Sequence, residues 1–223
     1  MSFRDEQKKQ RKIVSSSLMD AALELSAREG YASLSLRSVA REAGIAPTSF
    51  YRHFREMDEM GEALVQKAGQ VLEDFFKAVR GRISLPAIAE GAAPDAVLAS
   101  VENIARPFVA TFMDFFKENK NLLVLFFQER TGSSRALRAV IADYRDNLVQ
   151  SLAAELKKLF KEAGAPLADT LPAADTMLTL ASCAGLEAVA GYGSGFEGLA
   201  SRAVENIRVF LAGCVLCRPK GAS

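Results

Sequence analysis

Apolar residues recur along the chain at steps of three and four, and no strand-length run alternates apolar with polar. Ile13, Leu18, Ala21, Ala22, Leu25 and Ala27 form a one-sided stripe that predicts a helix over Lys8–Glu29, with Gly30 just past its end. Ser35 is placed to cap a short helix through Ala43, and Pro47 to open a second one after Gly44, reaching Arg55. Asp58 is the expected cap of a longer helix through Leu64, Val71 and Phe75 to about Arg80. The stretch "GRISLPAIAEGAAPD" carries two prolines and two glycines and predicts a mobile loop or at most a helical turn. Helices resume at Asp95–Lys117, where Pro107 removes one backbone donor, and at the shorter "NKNLLVLFFQER". A long helix then runs from about Ser134 to Ala163, and two more cover Pro172–Gly191 and Gly198–Cys217. The pattern predicts an all-α fold of about nine helices. A small three-helix domain over residues 1–57 precedes a larger helical domain over 58–223.

Composition fits a globular chain with a substantial core, at 49% hydrophobic and 25% charged residues. Residues 1–17 are basic and polar, unlike a secretory leader, and the longest apolar runs, such as Leu122–Phe127, fall far short of the ~20 residues a bilayer span needs. The expectation is a cytoplasmic protein with no membrane partner. The formal net charge of +1 hides an asymmetry. Residues 1–55 hold ten Lys/Arg against six Asp/Glu, and the remainder eighteen against twenty-one. A basic small end on a mildly acidic body suits a nucleic-acid partner. Cys214 and Cys217 have the spacing of a metal or redox pair, but zinc wants four ligands and the one histidine, His53, is remote in sequence. The reading is therefore packing, with no metal and no disulfide framework.

The two short helices after Ser35 carry the most specific chemistry. Leu36, Val39, Ala40, Ala43, Ile45, Phe50 and Phe54 can close one small core against Leu18 and Leu25, with a tight turn at Gly44. That is the pattern of a helix-turn-helix. With Phe50 and Phe54 turned inward, the opposite face shows Pro47, Thr48, Tyr51, Arg52 and Arg55. Arg37 and Arg52 are candidates for forked contacts to guanine, and Thr48 for a base edge or a thymine methyl. Ser49, Tyr51 and His53 offer donors to phosphate oxygens, as do the first amides after Ser35. Lys8, Lys9, Arg11 and Lys12 read as a basic arm.

The stretch "ASLSLRSVAREAGIAPTSFYRHFREMDEM" resembles the DNA-binding signature of TetR-family transcriptional regulators, in which S/T-x-R-x-[VIL]-A precedes G-[VI]-x-x-x-x-[LF]-Y-x-[HY]-F. The match covers Leu34–Met57 without a gap. The resemblance implies base-facing positions at Arg37, Pro47, Thr48, Tyr51 and Arg52, and phosphate-contacting ones at Ser35, Ser49, Tyr51 and His53. Met57 stands where many members have a lysine. Within the family the stretch is most similar to repressors of unsaturated fatty-acid synthesis of the FabR and DesT type, and "FFQERTGSSRALRAVIADY" resembles their corresponding segment. The function so implied is a repressor that binds a palindromic operator in double-stranded DNA and responds to acyl-CoA or acyl-carrier-protein thioesters. The alternative is the same type of repressor on an efflux or catabolic operon, answering another apolar small molecule.

In the larger half, Phe108, Phe112, Phe115, Phe116, Phe126 and Phe127 fall within twenty residues. They form either a packed aromatic core or the wall of an elongated apolar cavity. On the second reading Phe108, Phe112, Phe116, Phe127 and Met177 line the site. Gln128, Arg130, Arg135 and Tyr144 orient the head of the effector, a long-chain acyl-CoA or another apolar ligand, and Arg130, Arg135 and Arg138 can meet phosphates at the mouth. No cofactor is expected. The last two helices are rich in Ala, Gly, Ser and Thr, which suits close pairing with a twofold copy, so a homodimer through them is expected. An enzyme is disfavoured because there is no strand to carry a Gly-rich phosphate loop, and "GYGSG" at 191–195 reads as a loop. A helical adaptor without DNA binding is disfavoured by the donor-rich face around Tyr51.

Overall fold

The computed structural model describes residues 3–193 and 195–217, so Ser194 of "GYGSG" lies outside the described residues. All regular structure among them is helical: α1 (Phe3–Glu29), α2 (Leu36–Glu42), α3 (Pro47–Phe50), α4 (Met57–Arg80), α5 (Pro94–Glu118), α6 (Lys120–Gln128), α7 (Arg135–Glu162), α8 (Leu171–Val189) and α9 (Gly195–Leu216). Short 3₁₀ turns cover Tyr31–Ser33 and Glu129–Thr131. The all-α expectation of about nine helices holds among these residues. They form two compact units. One takes the described residues up to Gln70 together with Asn121–Asp143; the other takes Val71–Lys120 and the described residues from Tyr144 onward.

In the first unit α1 packs on α2, and α2 on α3. Leu18, Ala22, Leu25, Val39, Ala40, Phe50 and Phe54 are buried between them. The helix α1 starts five residues earlier than the stripe predicted. Asp5 and Glu6 sit in its first turn, where carboxylates favour the positive helix end. The turn between α2 and α3 rests on Gly44 at φ 66°, which costs a side-chain-bearing residue about 1–2 kcal/mol. It is closed by Ile45 N–H donating to the Ala40 carbonyl at 2.8 Å. The predicted helix over Pro47–Arg55 is shorter than expected. After Phe50 the chain tightens into a turn through i→i+3 bonds, with Arg52 N–H on the Ser49 carbonyl at 3.2 Å and His53 N–H on the Phe50 carbonyl at 2.8 Å. Nor does Asp58 cap α4. It lies inside the first turn and accepts from the Ser134 hydroxyl at 3.0 Å, while the Glu59 carboxylate takes the Arg55 N–H at 2.6 Å.

The start of α4 is fastened by Tyr31, whose buried hydroxyl donates to the Met57 carbonyl. Burial raises its pKa well above the ordinary phenol value, with Asp58 and Glu129 adding to the shift, so it remains a donor across the physiological range. Gly61 makes the contact possible. A Cβ there would meet the Tyr31 hydroxyl and a Leu137 methyl, each at 2.7 Å.

In the second unit α5 packs on α9, α9 on α8, and α8 on α5. Phe75 stands edge-on to Phe108 and Phe112, with ring centres 5.4 and 5.3 Å away, and Phe112 leans on Phe116 at 5.8 Å. Pro107 has no N–H for the carbonyl of Asn103 one turn back. The Ser84 N–H takes that carbonyl instead, at 3.3 Å. The Ile88 N–H is held by the Ala163 carbonyl at 2.8 Å, and Ile83 and Ile88 are buried. The segment between α4 and α5 is thus pinned at two points, contrary to the expectation of a mobile loop. Its apolar side chains outweigh its prolines and glycines. No helix among the described residues is long and apolar enough to cross a membrane.

Candidate nucleic-acid interface

The exposed side of α2 and α3 is assembled around a buried pair of rings. Phe50 is inaccessible and Phe54 nearly so, their ring centres 5.7 Å apart, and this pair seats the short helix. Pro47, Thr48, Tyr51 and Arg52 project into solvent, as does Arg37 from α2; Tyr51 is 62% exposed. Ser49 and His53 are half-buried at the edge of the face. All eight residues predicted to meet DNA fall in the first unit; the five assigned to bases are exposed, and so is Ser35.

Ser35 has a task of its own. Its hydroxyl accepts the Ser38 N–H at 3.1 Å, and the Ser38 hydroxyl accepts the Ser35 N–H at 2.9 Å, a reciprocal cap on α2. The sequence points to Ser35 as a cap; the partner role of Ser38, three residues on, was signalled only by that spacing. Arg11 also differs from the basic arm expected of it. One of its terminal nitrogens donates to the Arg52 carbonyl at 3.1 Å, reaching from α1 to the turn after α3.

His53 is held below the ordinary imidazole pKa, first by burial and then by the charges of Arg11 and Arg52. Its Nδ1 is buried without a hydrogen-bond partner. Because the folded value lies below the unfolded one (~6.5), the unfolded chain takes up the proton first. The contribution to stability is complete above pH ~6.5 and is lost as the pH falls toward the folded value. As the chain has one histidine, its ring signals are unambiguous by NMR. The expected result is a midpoint lower in the native protein than in urea. Stability should also fall more steeply between pH 7 and 5.5 in the wild type than in His53→Gln; equal slopes would refute the assignment.

The residues expected at an effector site divide between the units. Phe108, Phe112, Phe116, Tyr144 and Met177 lie in the second, and Phe127, Gln128, Arg130 and Arg135 in the first. Phe108, Phe112, Phe116 and Met177 are inaccessible and Phe127 nearly so. Gln128, Arg130 and Arg135 are exposed. Arg138, one of the cations expected to meet phosphates, instead donates to the carbonyls of Gly132 and Ser133 at 2.6 and 3.0 Å. Within the second unit a surface groove of about 320 Å³ runs between the end of α4 and the middle of α7, along Phe76, Arg80, Tyr144, Asn147 and Leu148. Phe76 and Leu148 also border an interior apolar space of about 10 Å³ beside Phe75 and Phe108. The groove was not foreseen, because its walls come from helices some seventy residues apart in sequence. Cys214 is half-buried and Cys217 exposed, and among the described residues no three His, Cys, Asp or Glu side chains are grouped to hold a metal.

Residues 18–64 match the family model for bacterial regulatory proteins of the tetR family. Over those residues the chain carries a DNA-binding domain of the tetR type. The TetR-type domain contains α2, α3 and their shared core, together with most of the exposed face described above. Solved structures with the same fold extend the likeness over nearly the whole chain. A bacterial regulatory protein of the tetR family from Rhodococcus RHA1 is 18% identical with a TM-score of 0.63, over 92% of this chain and 98% of that one. The fatty acid degradation regulator FadR from Bacillus halodurans is 17% identical with a TM-score of 0.63, over 92% and 97%. Thermus thermophilus FadR, a TetR-family transcriptional repressor in complex with lauroyl-CoA, is 18% identical with a TM-score of 0.55, over 94% and 98%.

Proposed function

We propose that the chain is a dimeric, ligand-responsive repressor that binds a palindromic operator and controls unsaturated fatty-acid synthesis or desaturation in response to acyl-CoA or acyl-carrier-protein thioesters. The observation that carries the DNA half is the face of Thr48, Tyr51 and Arg52 standing exposed over the buried Phe50–Phe54 pair, with Arg37 beside it. Donors on a seated helix suit base edges in a major groove, and Ser35, Ser49 and His53 at the margin suit phosphates. Residues 1–57 form the reading part in this scheme, and 58–223 the effector-binding and dimerising part. Support for pairing through α8 and α9 comes from their small residues and from Val209 and Leu216, which lie exposed on α9. One helix-turn-helix covers too few bases for useful specificity, and a twofold copy supplies the second half-site.

The effector half is supported by likeness to two fatty-acid regulators, one of them bound to lauroyl-CoA. The groove at Tyr144 supports it as well, since movement of Phe76 and Leu148 would join the groove to the interior beside Phe108. An effector acts only through unequal affinity for the two arrangements of the reading heads. The test begins with a duplex enriched by the wild-type protein from a random-sequence library. Palmitoyl-CoA and oleoyl-CoA are expected to shift its affinity in opposite directions, each by at least tenfold at saturation. A protein that binds the duplex and ignores both thioesters would defeat the fatty-acid half and leave the repressor standing.

A further inference from the structure

We infer that Arg11 is a positioning residue for DNA reading: from α1 its guanidinium clamps the backbone at Arg52 and thereby sets how the turn after α3 presents Tyr51 and Arg52. This rests on the DNA-binding reading above. A helix of four residues cannot hold its own geometry, because the first turn of any helix costs more order than its bonds return. The orientation of α3 is therefore set by what grips it. Phe50 and Phe54 grip it from beneath, through side chains. Residues 51–53, which bear two of the exposed donors, depend on i→i+3 turn bonds and on the tie from Arg11 to the Arg52 carbonyl at 3.1 Å. That tie joins positions 41 apart in sequence and crosses from the first helix to the reading turn. The same placement brings the charge of Arg11 close enough to His53 to add to the depression of its pKa, after burial.

The bland alternative is that Arg11 is one more cation of the basic arm, beside the exposed Lys8, Lys9 and Lys12. The two roles separate in salt. A phosphate contact releases counterions, and its loss flattens the dependence of log affinity on log salt by ~0.9 per contact. Loss of a positioning bond lowers affinity at every salt concentration equally. The experiment measures Arg11→Ala against the library-selected duplex from 50 to 300 mM KCl, and titrates His53 by NMR in both proteins. Arg11 is exposed, so the variant is expected to fold, which circular dichroism checks. The expected result is a loss of roughly tenfold, near the lower end for a hydrogen bond made by a charged group. The salt slope should be unchanged, and the His53 midpoint should move upward toward the ordinary value. A shallower slope, an unmoved His53 midpoint or unaltered affinity each overturns the proposal. If the wild type enriches no duplex, the DNA reading itself fails and the proposal goes with it. Failure of the Arg11 role alone shows instead as one of those three outcomes on a duplex that the wild type does bind.

Discussion

Replacing both Tyr51 and Arg52 by alanine is expected to weaken binding of the selected duplex by about two orders of magnitude while leaving the fold intact. A bidentate arginine–base contact contributes ~1–3 kcal/mol of discrimination, and a tyrosine contact to phosphate or base adds to it. Two half-sites double the loss, so about 3 kcal/mol in total is a conservative sum, near a hundredfold. Both side chains project into solvent, and neither is part of the core that seats α3. Exposed substitutions of that kind usually change stability by less than ~0.5 kcal/mol. Fluorescence anisotropy with the labelled duplex gives the affinity, and thermal melting gives the control. An affinity within threefold of the wild type would remove α3 as the reading element and with it the mechanism proposed here.

The second large effect works through packing. Phe50→Ala is expected to destabilise the first unit by about 3–5 kcal/mol, the range for truncating a fully buried aromatic ring. The cost combines lost transfer energy with a cavity left beside the Phe54 ring, in a core where Val39 and Ala40 are also inaccessible. Set against a total of ~5–15 kcal/mol for an ordinary domain, this is enough to leave the reading helix unfolded for a measurable fraction of the time. Duplex affinity should fall although Phe50 faces away from solvent. Phe50→Leu, which keeps most of the volume, should recover most of both losses. Urea denaturation followed by tyrosine fluorescence measures the stability, and a drop below 1 kcal/mol for the alanine variant would mean that Phe50 does not hold α3 in place.

The two predictions rest on parts of the molecule that were not equally legible in the sequence. The exposed face of α2 and α3 was nearly all visible, because periodicity separates Phe50 and Phe54 from Tyr51 and Arg52 within eight residues, and Gly44 and Pro47 mark where the chain must turn. Position along one short helix suffices for that. The Arg11 tie and the Tyr31–Met57–Gly61 contact join residues far apart in sequence, and no local pattern reports such pairings. The helix boundaries missed at α1, α3 and α4 have one cause: each is decided by a hydrogen bond or a charge at the end, not by the apolar stripe. In the larger part, the six phenylalanines of 108–127 announced burial without saying what they bury against. Periodicity gives which side is apolar and is silent on whether the space beyond it is filled. The groove beside Tyr144, with Phe76 and Leu148 between it and the interior, is a fact of how α4 and α7 meet, and a single chain of letters does not contain it.

A proline within a helix is usually read as a weak point, and in α5 it is better understood as a socket. By leaving one carbonyl open, Pro107 lets a helix accept a bond from outside itself, and the Ser84 amide fills it. The thirteen residues between α4 and α5 are therefore, mechanically, three short spans separated by fixed points at Ser84 and Ile88. Because the entropy of a loop grows only with the logarithm of its length, dividing it matters less for the energy than for the reach. No span is long enough to swing across the neighbouring helices. The connection that by composition promised a flap is instead a strut, and any motion the proposed effector response requires must come from side chains and helices, not from there.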